Sequence, residues 1–225
     1  MKYFVFADFD GTISTEDVGY NLLTHFSTVD NSDLSELWMT RQIGARECLQ
    51  IEAERFRATH SEVIEFVDKF EIDPVFPSFV EYLRSKDIPL VILSDGFDLY
   101  IKRFLKNHSL DGIELITNSG RIIGNRLEVD FPHDGGCGKC GACKSELIRE
   151  IVKRENFEGK IVFAGDGFSD ICAIDEANIL FAKNYLRTYC QEENIPHLPF
   201  DSFDDIGKAL FDDWPPARRR SGASK

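Results

Sequence analysis

The stretch "KYFVFADFDGTIST", residues 2–15, decides how the rest of the chain is read. Tyr3 to Ala7 is an apolar run with the length of a buried strand, and Asp8 and Asp10 stand directly at its end, followed by Gly11 and Thr12. Ionised carboxylates at the edge of a hydrophobic core are unfavourable unless a cation or hydrogen bonds compensate them. Two of them, two residues apart, point to a site rather than to a simple strand terminus.

Outward from this strand the texture changes twice. Between residues 16 and 71 apolar residues recur at helical spacing, as in Leu22, Leu23 and Phe26, Leu34, Leu37 and Trp38, and Val63, Ile64, Phe66 and Val67. Asn31-Ser32-Asp33 and His60-Ser61-Glu62 read as helix starts, so four helices and no strand are expected. From Ile72 strands and helices alternate. "IPLVILSDG" and "GKIVFAGDG" are apolar strands, "FDLYIKRFLKNH" and "CKSELIREIVKRENF" are helices, and "FSDICAIDEA" reads as a further helix. "IELITNSGRIIGNRLEVDF" reads as a β-meander with turns at Ser119-Gly120 and Gly124-Asn125.

Continuous apolar strands separated by helices imply a doubly wound α/β core with a parallel sheet covered on both faces. The expected organisation is a core of residues 1–15 and 72–212, a helical cap of 16–71, and a disordered tail of 213–225. In such sheets the ligand site lies beyond the carboxyl ends of the strands, near the point where strand order reverses.

The 225 residues are 43% hydrophobic and 29% charged, with nineteen phenylalanines to fill a core. No apolar run spans a bilayer, and no basic region precedes a cleavable hydrophobic segment, so a cytoplasmic protein is expected. The net charge of −13 disfavours nucleic acid and anionic membranes as partners. An anionic substrate then requires local positive charge or a metal at the site.

The turns Asp8–Thr12, Ser94–Gly96 and Asp166–Asp170 follow successive strands and should converge. Asp8, Asp10 and Asp166 offer oxygens to a hard cation such as Mg²⁺. The cation reverses the local sign, and Ser94, Lys144 and the helix N-terminus at Lys144 can then hold a phosphoryl group. One carboxylate so placed can act as a nucleophile, and a second can protonate the leaving oxygen and deprotonate water. "GDGFSD" lacks the ligands of a calcium hand, and Ser94 lies in no nucleophile elbow.

In order, "DFDGT", "LSDG", "CKSELI" and "VFAGDGFSD" resemble the four motifs of the haloacid dehalogenase-like (HAD) phosphatases. The helical insertion resembles the small cap of their phosphoserine phosphatase-like branch. The resemblance implies a Rossmann-like core and a Mg²⁺-dependent phosphomonoester hydrolase acting on a small phosphorylated metabolite. It implies Asp8 as nucleophile and Asp10 as general acid/base. Asp8, the backbone carbonyl of Asp10, and Asp166 would hold Mg²⁺ with support from Asp170, and Ser94, Gly96 and Lys144 would hold the phosphoryl group. Asp17 matches the place of a cap Glu that meets the substrate amine in phosphoserine phosphatases, and "SDG" replaces the commoner "SGG". Arg41 and Arg46 are the cap arginines placed for substrate contact.

Within the branch, the Asp after "DFDGTI", the cysteine-rich approach to Lys144 and the ending "AKNYLRTYCQEENIPHLPF" resemble the 2-hydroxy-3-keto-5-methylthiopentenyl-1-phosphate phosphatases of methionine salvage. Phosphoserine, phosphocholine and phosphoethanolamine phosphatases are the alternatives, together with a phosphotransferase and, from another class, a non-enzymatic zinc-binding regulator. "PHDGGCGKCGACKS" also offers His133, Cys137, Cys140 and Cys143 as ligands of a structural Zn²⁺, weighed against a loop whose cysteines are small fillers. Oligomeric state is not legible.

Overall fold

A computed structural model of the protein describes residues 1–133 and 138–215. Seven strands form one sheet in the order β4-β3-β2-β1-β5-β6-β7. They are β1 (Tyr3–Ala7), β2 (Leu90–Phe97), β3 (Glu114–Ile123), β4 (Arg126–Asp130), β5 (Lys160–Gly165), β6 (Ile179–Ala182) and β7 (Leu198–Pro199). All pairings are parallel except β3 with β4. The doubly wound α/β architecture expected from the alternation is the one observed.

The central strand shows why its sequence is apolar throughout. Successive side chains of a strand point to opposite faces. Phe4 and Phe6 stack at 4.6 Å on one face and pack with Leu147, Ile148 and Ile151 of α7 (Lys144–Arg154). Val5 and Ala7 join the other face, with Phe79 and Val80 of α5 (Phe76–Ser85) and Tyr100, Ile101 and Phe104 of α6 (Asp98–Asn107). Both faces of β1 are therefore buried, and no polar residue is tolerated before Asp8.

Four helices lie between β1 and α5: α1 (Val18–His25), α2 (Ser32–Met39), α3 (Ala45–Arg55) and α4 (His60–Val67). The start of α4 is capped one residue earlier than His60, by Thr59. Its side chain and that of Glu62 form a reciprocal capping box. Asn31 does precede α2, but its side chain makes no cap bond. Its Oδ1 instead accepts from Ser27 Oγ and Arg55 Nη1, each at 3.2 Å.

Two further sequence expectations change. No turn forms at Ser119-Gly120, because β3 runs through it: Ser119 pairs with Asp130, and the Gly120 N–H donates to Asp98 Oδ1 at 3.0 Å. The turn lies at Gly124-Asn125, where Gly124 takes a φ of 65°. "FSDICAIDEA" forms the expected helix, of 3₁₀ type, over Phe168–Glu176. The packed chain also continues past residue 212. Trp214 donates to Asp204 Oδ1 at 2.9 Å and packs on Tyr82, whose hydroxyl donates to Asp213. Residues 216–225 of the expected tail lie outside the described residues.

Two helices complete the chain, α8 (Asn184–Glu192) and α9 (Phe203–Leu210). No helix among the described residues is long and apolar enough to cross a membrane.

Candidate functional site

The register of the sheet builds the site. Ala7 pairs with Ile92 on one side and Ala164 on the other, so β1, β2 and β5 deliver Asp8, Ser94 and Asp166 to one edge. The connections leave β1 toward β2 and β5 on opposite sides, and the cleft opens at that reversal. Gly11 turns the chain back with φ 71°, and a Cβ there would lie 2.4 Å from Asp166 Oδ2. Only glycine lets the first turn approach that carboxylate.

Lys144, the first residue of α7, is fully buried and donates to Asp8 Oδ1 at 2.6 Å and to Asp170 Oδ1 at 2.5 Å. Burial works to lower its pKa. The charges of Asp170, Asp8 and Asp95 outweigh that and hold it well above the usual lysine range, so the ammonium is kept. Asp170 Oδ2 accepts from the backbone N–H groups of Asp166 and Gly167, each at 2.9 Å. With Lys144 on its other oxygen, Asp170 is a fixed support for the turn.

Asp8, Asp166 and Asp170 offer carboxylate oxygens that all lie within 4.8 Å of one another, the cluster of metal-ligating type found among the described residues. Burial, then the charge of Asp170, raises Asp8 well above the usual carboxylate range despite Lys144. Burial and Asp170 likewise push Asp166 up to about 6. Asp166 is oriented by Thr12 Oγ1 at 3.3 Å and Asn184 Nδ2 at 3.0 Å. Lys144 in contact and Lys183, which acts on Asp166 and Asp8 from the Thr12 carbonyl, do not balance these acids together with Asp10, and an all-oxygen donor set of this kind fits a hard divalent cation such as Mg²⁺.

Asp10 faces the other way. Its Oδ1 accepts the Gly19 N–H at 2.9 Å, and its Oδ2 accepts Tyr100 Oη at 2.7 Å and Ser94 Oγ at 3.4 Å. Burial first, then the charge of Asp17, pushes it up to about 7, against the lowering effect of the Tyr100 and Gly19 hydrogen bonds. The two aspartates of the opening motif thus have separate surroundings: one is held by an ammonium, the other is poised to exchange a proton near neutrality.

Ser94 is buried, and its Oγ accepts the Gly96 N–H at 2.9 Å. A Cβ on Gly96 would fall 1.8 Å from Tyr100 Oη and 2.8 Å from Asp10 Oδ2, so this position requires a bare backbone. Asp95, between them, accepts from the Ala142 N–H and ties the second turn to the loop that carries Lys144. That contact gives the "SDG" variant a physical role.

The cleft between these turns and α1–α3 holds a cavity of about 290 Å³. Asp17 caps α1, its Oδ1 accepting the Tyr20 N–H at 2.7 Å, and it lines this cavity. Its side of the cleft is open to solvent, yet the protein mass around it raises its pKa, an effect that the solvent there weakens. Arg41 and Arg46 are not among the lining residues. Arg41 sits over the Phe168 ring at 5.6 Å, at the rim, and Arg46 over Phe131 at 5.5 Å, outside it. The apolar walls come from Leu23, Trp38, Met39, Leu49, Phe168 and Tyr185.

Of the proposed zinc ligands, Cys137 lies outside the described residues. His133 and Cys143 meet through the backbone, Cys143 N donating to the His133 carbonyl at 2.8 Å. The Cys140 thiol donates a hydrogen bond to the free Cys172 thiol, a contact that pushes Cys172 down to about 7. Cys172 was invisible as a partner because it is distant in sequence. The same is true of Tyr100, Asp95, Asn184 and Glu52, whose only sequence signal is a charge on the inner face of a helix.

Comparison with known proteins agrees with this geometry. The model of the haloacid dehalogenase-like hydrolase family matches residues 5–175. The chain is similar to a 2-hydroxy-3-keto-5-methylthiopentenyl-1-phosphate phosphatase of Bacillus pumilus, at 28% identity over 99% of both chains. It is also similar to one of Lysinibacillus sphaericus, at 31% identity over 93% of this chain and 94% of the relative. Among solved structures, a phosphoserine phosphatase captured as an analogue of its phospho-aspartyl intermediate superposes with a TM-score of 0.72. It shares 15% identity and covers 93% of this chain and 99% of that one, a likeness of fold.

Proposed function

The chain belongs to the haloacid dehalogenase-like hydrolases and is a phosphatase, and on that premise we propose that it hydrolyses 2-hydroxy-3-keto-5-methylthiopentenyl-1-phosphate through a phosphoryl-aspartate at Asp8. The observation that carries the mechanism is the divergence of the two aspartates: Lys144 sits at 2.6 Å from Asp8, while Asp10 is turned to Tyr100 and Gly19 and pushed up to about 7. The substrate reading rests on full-length similarity to relatives of that name and on a cavity of about 290 Å³, the scale of a small metabolite.

In this reading Ser94, the Gly96 N–H and Lys144 hold the phosphoryl oxygens at the N-terminus of α7, where the helix dipole also favours an anion. Asp8 attacks phosphorus as the ester bond breaks, and protonated Asp10 gives its proton to the departing oxygen. The Asp10 carboxylate then takes a proton from the water that attacks the phosphoryl-aspartate, releasing phosphate and restoring both groups. Asp8, Asp166 and the main-chain carbonyl of Asp10 would hold Mg²⁺, with Asp170 as support. When bound, the ion offsets the carboxylate charge so that a phosphate can approach.

The test is phosphate release from the methylthiopentenyl ester, phosphoserine, phosphocholine and phosphoethanolamine, with Mg²⁺ and with EDTA, beside the Asp8→Asn variant. The expected result is a preference for the first ester, lost with EDTA and in the variant. Equal turnover of all four esters would overturn the substrate reading, and wild-type turnover by Asp8→Asn would overturn the nucleophile. Transfer to added alcohols in place of phosphate release would mark a phosphotransferase.

A further inference from the structure

Helix α3 turns Ala45, Cys48, Leu49 and Glu52 toward the cavity, the i, i+3, i+4, i+7 face that the helical period fills with apolar residues. Three of the four obey the rule. Glu52 does not, although it is only 5% exposed. Its carboxyl makes no hydrogen bond and no ion pair among the described residues. The nearby cation is Arg55, and its guanidinium is engaged elsewhere, with Asp33 at 3.0 Å and the Asp30 carbonyl at 3.0 Å. The enclosed side-chain atoms without a partner among the described residues are Asn31 Nδ2 and Asn118 Oδ1, so the Glu52 oxygens are not sealed off but face the cavity, where a ligand can supply their partner.

The neighbourhood narrows what that ligand is. Burial, then the charge of Asp17, pushes Glu52 up to about 7, so the two carboxyls feel one another across the cavity wall. No Lys, Arg or His is among the residues lining the cavity. Lys144 lies beneath it, already shared between Asp8 and Asp170. A substrate tail that carries a carboxylate would meet Asp17 and Glu52 with no cation in the cavity lining, since Arg41 stands only at the rim, over Phe168. Leu23, Trp38, Met39 and Leu49 complete the cap side with apolar surface.

We propose that Glu52, together with Asp17, reads the tail of the substrate: the pair hydrogen-bonds hydroxyl and keto groups of an uncharged tail with an apolar end, and excludes tails ending in a carboxylate. The inference rests on the phosphatase reading of the site and deepens it from one named ester to a chemical class. Glu52 is a specificity residue and takes no part in bond-making at phosphorus. As a carboxyl near its own midpoint it can either donate to a carbonyl or accept from a hydroxyl, and Asp17 supplies the complementary acceptor.

The test compares kcat and KM of wild type, Glu52→Gln and Glu52→Leu on esters that share a phosphate and differ in the tail. The methylthiopentenyl ester and dihydroxyacetone phosphate carry neutral oxygenated tails, phosphoethanolamine an ammonium, and 3-phosphoglycerate a carboxylate. Wild type is expected to favour the neutral tails over the carboxylate by about a hundredfold or more in kcat/KM, the scale of an unpaired buried group. Glu52→Leu is expected to raise KM for the neutral tails by about tenfold or more and to narrow that discrimination, with Glu52→Gln intermediate.

Glu52→Leu is also expected to raise Tm, since it removes an unpartnered buried carboxyl. A residue kept for structure would lower Tm instead. Discrimination that survives Glu52→Leu would overturn the inference, as would a preference for phosphoethanolamine or 3-phosphoglycerate. If dihydroxyacetone phosphate proves a better substrate than the methylthiopentenyl ester, and Glu52→Leu abolishes the neutral-tail preference, the class stands and the named substrate falls.

Discussion

Replacing Tyr100 with Phe removes one hydroxyl and leaves the ring, which is fully buried beside Phe9 and Phe104. That hydroxyl donates to Asp10 Oδ2 at 2.7 Å. Burial and the Asp10 charge hold Tyr100 well above the usual phenol range, so it stays a protonated donor wherever the enzyme works. The bond favours the ionised form of Asp10 and lowers a pKa that burial and Asp17 have pushed up to about 7. A hydrogen bond to a charged group contributes about 1.5–3 kcal/mol, and each pKa unit corresponds to about 1.4 kcal/mol. Tyr100→Phe is therefore expected to raise Asp10 by roughly one to two units.

The two half-reactions respond in opposite directions. Formation of the phosphoryl-aspartate needs protonated Asp10, so the alkaline limb of kcat/KM moves up by roughly one to two pH units. Hydrolysis of the phosphoryl-aspartate needs the carboxylate, whose fraction at pH 7 falls about five- to fiftyfold. Phosphoenzyme then accumulates. Rapid-quench measurement of the phosphoenzyme, with kcat/KM profiles from about pH 5 to 10, checks both effects. An alkaline limb that stays in place, or moves to lower pH, would refute the assignment of Asp10 as the titrating acid and Tyr100 as its donor.

Asp10 and Glu52 are both pushed up to about 7 in the folded protein, so the folded state binds more protons than the unfolded one between roughly pH 4 and 7. Their contribution is fully present below the unfolded pKa and is lost as pH rises through the folded one. Calorimetry of the metal-free protein should show Tm falling from pH 5 to 8, on the order of 3 kcal/mol per group; a Tm that climbs steadily over that range would contradict it. Lys144→Met leaves Asp8 and Asp170 facing each other without the cation that each now holds at 2.6 and 2.5 Å. Urea titration at pH 7.5 should show a loss of about 3–5 kcal/mol together with lost activity, and a loss below about 1 kcal/mol would argue against a structural charge pair. Gly96→Ala places a methyl 1.8 Å from Tyr100 Oη and must displace either Tyr100 or the second turn. Turnover should fall at least about tenfold, with destabilisation of about 1–3 kcal/mol; wild-type activity would show that the turn has room to yield.

The sequence by itself determined the sheet and the position of its chemistry. Buried parallel strands must be apolar on both faces, so Asp8, Ser94 and Asp166 stand out at the strand ends, and the strand-end rule brings them together before any coordinate is known. Side-chain partners that depend on packing between distant segments were not legible. Tyr100 looks like one more aromatic on a core helix until its hydroxyl meets Asp10, ninety residues earlier. Asp95 reads as a turn residue until it holds the Ala142 N–H. Nothing in the order of residues tells that the Cys172 thiol meets Cys140, thirty-two positions earlier. Arg41 and Arg46 drew attention by their charge, and tertiary packing set Arg41 over the lining ring of Phe168 at the rim and Arg46 over Phe131 outside the cavity. Glu52 is the inverse case: helical period put it on the inner face of α3, and only the closing of the cap helices against the sheet decided that this face surrounds a cavity and holds no partner for its carboxyl. Periodicity and strand termini are properties of neighbouring residues, which a chain carries in its order. Hydrogen-bond partners, pKa shifts and cavities are set by residues that meet only when the chain has folded.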